Sequence, residues 1–455
     1  MITLLSGKRT SSLALAIALA TGSAVVTTAV FPTEASAQRK KDKKKDEKDG
    51  GGYSKEFREV YTPLDELLKQ EGGDLSGSRA QIDTLAGLLN TNDEKYAGGF
   101  VLFNSGIKLQ DRELQLRGMQ SVLASGMAPA ENIGRFNFIA YQTANQLNQK
   151  ELSRTYLQAA IDNNFTTTDI NASSLRLAMM ESFFSQDLFD QGFAYLNDAI
   201  STQKAQGLAV DENWYRRGVT VAYENEISPA VYDIIAMWLS DFPSETNWRD
   251  AVNIARNLND FQTGEMLDLF RLSRKAGALS DESDFDYYVE VADARRLPNE
   301  VKEVIDEGKA AGIISDSNLF ITEALGIANN RLASDRAELP ELESDAMAPT
   351  AGVRTVVAAG DAFLSYGEYA KAAQFYERAI TMPEVELNEE LTRLAIAQIG
   401  KGDYAEARTT LNRITGTRVP LARLWTAYAN QLESETGAAP AVMPSSAPAT
   451  ADTGE

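Results

Sequence analysis

The sequence contains neither cysteine nor histidine. Without Cys the chain forms no disulfide or thiolate metal site, offers no thiol nucleophile, and lacks the residue that carries the lipid anchor of bacterial lipoproteins. Without His it loses the commonest general base, the usual zinc ligand, and the Ser-His and Cys-His nucleophile pairs. Any catalysis would have to run on carboxylates, Lys, Tyr or Arg. Positive charge is also scarce: 44 basic residues face 65 acidic ones, for a formal net charge of −21. Phosphate backbones are gripped chiefly by Lys and Arg, so nucleic acid is not an expected partner. The acidity reads instead as a soluble, self-repelling surface.

Long apolar runs are lacking after the first thirty or so residues. At the start, Lys8 and Arg9 precede an apolar stretch from Leu13 that continues weakly to Val30, and Ala35-Ser36-Ala37 supplies small residues at cleavage spacing. This pattern predicts a signal peptide over residues 1–37, cut after Ala37, and no membrane span in the mature chain. Thr21, Gly22, Ser23, Thr27 and Thr28 dilute the stretch, which favours cleavage over an uncleaved N-terminal anchor. An exported chain of 455 residues without Cys suits a bacterial periplasm. A secreted or N-terminally anchored protein is the alternative.

Residues 38–52 form a charged and Gly-rich stretch, Arg39 to Asp49 followed by Gly50, Gly51 and Gly52, expected to be a disordered linker. Its excess of Lys and Arg reads as a solvated spacer, with a tether to anionic lipid as the functional alternative. An Ala/Pro-rich tail is expected over 437–455. Between these ends, 44% hydrophobic residues supply enough apolar surface for a folded body.

That body contains repeats. Gly360, Phe363, Tyr366, Gly367, Tyr369, Ala372, Tyr376 and Ala379 are followed by Ala395, Lys401, Gly402, Tyr404, Ala407, Leu411 and Ile414. Gly360 and Ala395 lie 35 positions apart. In each copy one helical apolar stripe runs to a Gly-x-Tyr turn and a second begins beyond it, which predicts an antiparallel helical hairpin. The pattern resembles the tetratricopeptide repeat family. Weaker copies contain Trp214, Arg217, Gly218, Val221, Ala230, Ile234 and Pro243; Met180, Phe183, Phe189, Gly192, Leu196 and Ala199; and Tyr141, Ala144, Ser153, Leu157 and Ala160. A further hairpin spans Val289 to Gly308, its second helix opened by Pro298. The steps from Gly218 to Val289 and from Val289 to Gly360 are each 71 positions, about two repeats. They call for an extra hairpin near Trp248 to Leu269 and another from Ser317 to about Leu342.

The resemblance implies an all-α fold, a right-handed superhelical solenoid of antiparallel helical hairpins. The expected organisation is a degenerate helical N-terminal region over 53–126, weaker hairpins over 127–345, two clear repeats over 346–415 and a capping helix over 416–436. Gly218, Ala230, Gly360, Phe363, Ala372, Tyr376, Ala379 and Ala407 are the expected structural positions of the repeats. The resemblance also implies a binding groove, and the repeat register places Phe138, Phe184, Tyr215, Arg216, Tyr223 and Tyr287 on it.

Chemistry is harder to find. Asp281-Glu282-Ser283-Asp284-Phe285-Asp286 superficially resembles a calcium loop but lacks its central Gly and its bidentate Glu. It reads better as the acidic start of a helix. No phosphate-binding loop occurs, and Trp214 and Trp248 fall on packing positions. No catalytic residue, metal site or cofactor is expected. The function so implied is a non-enzymatic periplasmic scaffold that binds a protein or peptide partner in the cell envelope, with self-association as a further option. The alternative is a helical-repeat hydrolase that attacks carbohydrate or peptidoglycan through paired carboxylates.

Overall fold

A computed structural model describes residues 52–437, and within that range the chain is all-α, with twenty helices and no strand. The expected signal peptide, most of the charged linker and most of the C-terminal tail lie outside the described residues. No described helix is long and apolar enough to cross a membrane. The chain divides into two compact units between Trp214 and Tyr215.

The first unit contains α1 (Lys55–Lys69), α2 (Arg79–Gly87), α3 (Asn92–Lys108), α4 (Arg112–Ala124), α5 (Ala130–Gln146), α6 (Lys150–Asp162), α7 (Ala172–Phe184) and α8 (Phe189–Ala205). Helix α9 (Glu212–Glu224) carries the division between the units. Neighbouring helices pack in chain order as hairpins. The tightest is α3 against α4. A Cβ on Gly99 would lie 2.8 Å from the Gly118 carbonyl oxygen, and one on Gly106 would lie 2.7 Å from the Gln115 nitrogen. Glycine at these sites lets the backbones touch, so the region 53–126 has a close helical contact that does not follow the repeat pattern.

At the N-terminal end of this unit, Thr91 and Glu94 form a capping box for α3. The buried Glu94 carboxylate also accepts the backbone N–H of Ser54 at 2.7 Å and of Asn90 at 3.1 Å, which ties the start of α1 to α3. Burial by itself would raise this carboxyl's pKa. The Ser54, Thr91 and Asn90 N–H groups outweigh it and bring the value down to about 2.

The second unit contains α10 (Ala230–Asp241), α11 (Glu245–Leu258), α12 (Thr263–Lys275), α13 (Glu282–Ala292), α14 (Pro298–Ala310), α15 (Leu319–Met347), α16 (Val353–Ser365), α17 (Tyr369–Ala379), α18 (Leu387–Lys401), α19 (Tyr404–Leu411) and, after a 3-10 turn at Gly416–Arg418, α20 (Val419–Glu435). The hairpin expected near Trp248 to Leu269 is α11 with α12, and Pro298 opens α14. Gly367 and Gly402 take φ values of +69° and +85° at the turns after α16 and α18, where the left-handed conformation ends a helix at no steric cost to glycine.

In the two C-terminal repeats, a Cβ on Gly360 would meet the Tyr376 ring at 2.7 Å. Ala372, Ala379 and Ala407 are fully buried, with Phe363 and Tyr376 packed among them. Gly218 is buried, and Ala230, the first residue of α10, is partly buried. The expected hairpin from Ser317 to about Leu342 does not form. In its place α15 runs unbroken for 29 residues from its Asn318 cap, with Pro340 inside it. Gly326 stays helical and no residue of this stretch adopts a positive φ, so nothing reverses the chain. The helix passes Pro340 at the cost of one backbone hydrogen bond.

The expected capping helix is α20, and it does pack on α19. It does more than cover the last hairpin, because it also packs on α10, α11, α12 and α18. Trp425 and Leu421 are fully buried in that contact, Arg423 reaches Asp233 at 2.6 Å, and the Trp248 indole donates to Gln431 at 2.7 Å. The C-terminal helix therefore joins helices almost two hundred residues earlier in the chain.

Candidate functional site

The six expected groove residues fall into two groups. Phe138 is buried and stacked on Phe165 at 4.9 Å, and Phe184 is buried against Phe193. Tyr215 is fully buried, with its hydroxyl donating to Asp241. As placed, these three rings fill the core and present no face to a partner. Arg216 is partly buried, donates to Asn247 at 2.9 Å and lies over the Trp238 ring. The partly buried Tyr223 accepts from Asn257, and Tyr287 is 48% exposed, stacked on Phe270 with Arg256 over its ring. Phe138 and Phe184 belong to the first unit, and Tyr215, Arg216, Tyr223 and Tyr287 to the second. The acidic run at Asp281 starts a helix: its side chain accepts the Asp284 N–H and caps α13.

A charge cluster that sequence reasoning missed lies inside the second unit. Asp268 on α12 is fully buried and receives Arg271 at 3.0 Å and Arg418 at 2.8 Å, with Arg393 at 3.7 Å. Arg271 also grips Glu300 through two bonds of 2.8 Å. Arg393 reaches Asp361 at 3.1 Å and pairs with Glu389, while Asp361 accepts from Tyr376 and Arg296. Burial opposes ionisation of Glu300 and Asp361, but Arg271 beside the first and Arg393 beside the second outweigh it and hold both below the usual carboxylate range. Removing one partner from such a buried pair costs about 3–5 kcal/mol, because the remaining charge is left unpaired.

Glu390 is the exception in this cluster. It is 3% exposed, its Oε2 has no hydrogen-bond partner, and burial pushes its pKa up to about 8, only partly countered by Arg393. Asp361, Glu389 and Asp268 push the same way. At neutral pH Glu390 is therefore mainly a neutral acid.

One edge of the cluster opens into a cleft of about 480 Å³. Arg271, Arg274 and Lys275 at the end of α12 line it together with Glu300, Glu303 and Glu307 of α14. Tyr366, Gly367 and Tyr369 from the turn between α16 and α17 complete the lining with Tyr288, Leu364, Ser365 and Ile396. Arg274 grips Glu307 through Nε at 2.8 Å and Nη2 at 2.5 Å, and the same Nη2 reaches Glu303 at 3.1 Å. Lys275 donates to the Tyr369 hydroxyl at 3.1 Å and lies over the Tyr369 ring. The Tyr428 hydroxyl of α20 donates to the Lys275 carbonyl, so the C-terminal helix braces this end of α12.

Glu303 and Glu307 lie one turn apart on α14 and share a guanidinium, whereas glycosidic hydrolysis needs two carboxyls flanking the bond. Burial raises the pKa of Glu390, Asp233 and Asp250, and none of these three carboxyls lines the cleft. Among the described residues no group of three or more acidic side chains could hold a metal ion. In comparisons with known proteins, no family model matches the chain and no curated protein is similar to it.

Proposed function

We propose that this chain is a non-enzymatic scaffold of the tetratricopeptide-like kind, exported to the cell envelope, where it binds a protein or peptide partner. The supporting observation is the succession of hairpins packed in chain order, in which small residues such as Gly360 receive the ring of a facing Tyr376. Stacked hairpins build long surfaces from many helices, and such surfaces suit extended partners better than small-molecule chemistry. The partly exposed members of the expected groove, Arg216, Tyr223 and Tyr287, are the contact residues in this reading. Arg216 and Tyr223 are held at their polar tips by Asn247 and Asn257, and Tyr287 is held through its ring by Phe270 and Arg256, so all three are pre-positioned.

The test is a crosslinked pull-down with the tagged chain from envelope extract of its native host. Tyr287→Ala and Tyr223→Ala, alone and together, serve as comparison. A partner captured by the parent chain and lost by the double variant supports the scaffold reading. Capture of no partner, or equal capture by both, counts against it.

A further inference from the structure

The cleft beside the charge cluster carries a balance that selects among ligands. Its three basic residues are matched by three acidic ones. In a chain of net charge −21 this lining has no formal net charge, so it does not favour an ion over a neutral molecule.

Unused donors and acceptors share the same cleft. Lys275 has no carboxylate within ion-pair distance among the described residues, and its bond to Tyr369 uses one of three ammonium hydrogens. The Tyr369 hydroxyl accepts that bond, and its own proton is given to no described group. Glu303 and Glu307 are 49% and 53% exposed, and their oxygens keep lone pairs beyond those taken by Arg274 and Asn299. An anion would satisfy Lys275 but face these carboxylates, and a cation would meet the reverse conflict. A hydroxyl donates and accepts at once, so it satisfies both kinds of group.

We propose that this cleft is a binding site for a neutral polyhydroxylated ligand, a mono- or disaccharide, whose hydroxyls accept from Lys275 and Tyr369 and donate to Glu303 and Glu307. The volume, about 480 Å³, lies within the range of small-ligand sites. The site binds without cleaving, since its two exposed carboxylates stand on one helix rather than across a bond from each other. This inference goes beyond the scaffold reading and does not depend on it.

The experiment is saturation-transfer NMR followed by calorimetry on the full chain, with glucose, N-acetylglucosamine, maltose, cellobiose and chitobiose as probes and glutarate as an anionic control. At least one sugar binds, and its affinity is insensitive to salt because the ligand is uncharged. Lys275→Met and Glu307→Gln each weaken it about tenfold, and Tyr369→Phe weakens it about threefold to tenfold. The Phe variant keeps the ring that packs over Gly400, so its fold is preserved. No binding by any of the five sugars overturns the proposal. So does salt-sensitive binding of glutarate that exceeds every sugar and disappears in Lys275→Met.

Discussion

Arg418 donates to Asp268 at 2.8 Å across 150 residues of chain, and both side chains are withdrawn from solvent. This bond joins the turn before the C-terminal helix to the middle of the second unit. Because Asp268 also holds Arg271, the same carboxylate links α20 to the floor of the cleft.

Asp268→Ala should destabilise the second unit by about 3–5 kcal/mol, since it strands buried guanidiniums. Urea unfolding followed by tryptophan fluorescence reads this through Trp425 and Trp248, which lie in the α20 contact. A loss below about 1 kcal/mol would mean that the pair is solvated rather than buried.

Glu390 gives the fold an unusual pH dependence. Its pKa is about 8 in the folded chain against an ordinary 4.5, so the folded state binds more protons than the unfolded one between those values. Its contribution to stability is fully present below pH 4.5 and is lost as pH rises through about 8. Glu390→Gln removes the titration. The variant's midpoint in urea should stay flatter than the parent's from pH 5 to 8, and its advantage over the parent should grow toward the alkaline end. Parallel curves for the two proteins would show that Glu390 ionises normally.

Glu94 behaves in the opposite sense. Its folded pKa of about 2 lies below the ordinary 4.5, so its stabilisation is present above 4.5 and is lost as pH falls toward 2. Glu94→Ala should cost about 1–3 kcal/mol at neutral pH, because the Ser54, Thr91 and Asn90 N–H groups lose their acceptor. Hydrogen exchange should report the loss as faster opening at the starts of α1 and α3. Unchanged exchange there would remove this carboxylate from the account of the first unit.

Two small-to-large changes test the repeat contacts. Ala372→Leu should destabilise by about 1–3 kcal/mol, because the position is fully buried between packed helices. Gly360→Ala places a methyl group 2.7 Å from the Tyr376 ring, so the ring must shift and strain its hydroxyl bond to Asp361. Thermal unfolding should show a lower Tm for both, and an unaltered Tm for Gly360→Ala would mean that the ring yields freely.

By itself the sequence determined the helical class, the paired helices over Gly360 to Leu411, the opening of α14 by Pro298 and the helix start at the acidic run from Asp281, because each follows from local periodicity, charge or backbone geometry. Periodicity says that a helix face is buried but not what buries it. Phe138, Phe184 and Tyr215 could therefore be assigned to helix faces, while only packing made them core. The unbroken α15 escaped a reading based on repeat length, since a repeat interval does not itself supply a turn. The charge cluster was hidden for a different reason. Asp268, Asp361, Arg393 and Arg418 have no local spacing pattern in a chain with 65 acidic residues, and α20 meets α10 across a separation of 190 residues at Arg423 and Asp233. Tertiary structure decided these contacts because burial makes a charge pair compulsory, and burial is a property of the assembled helices rather than of any segment.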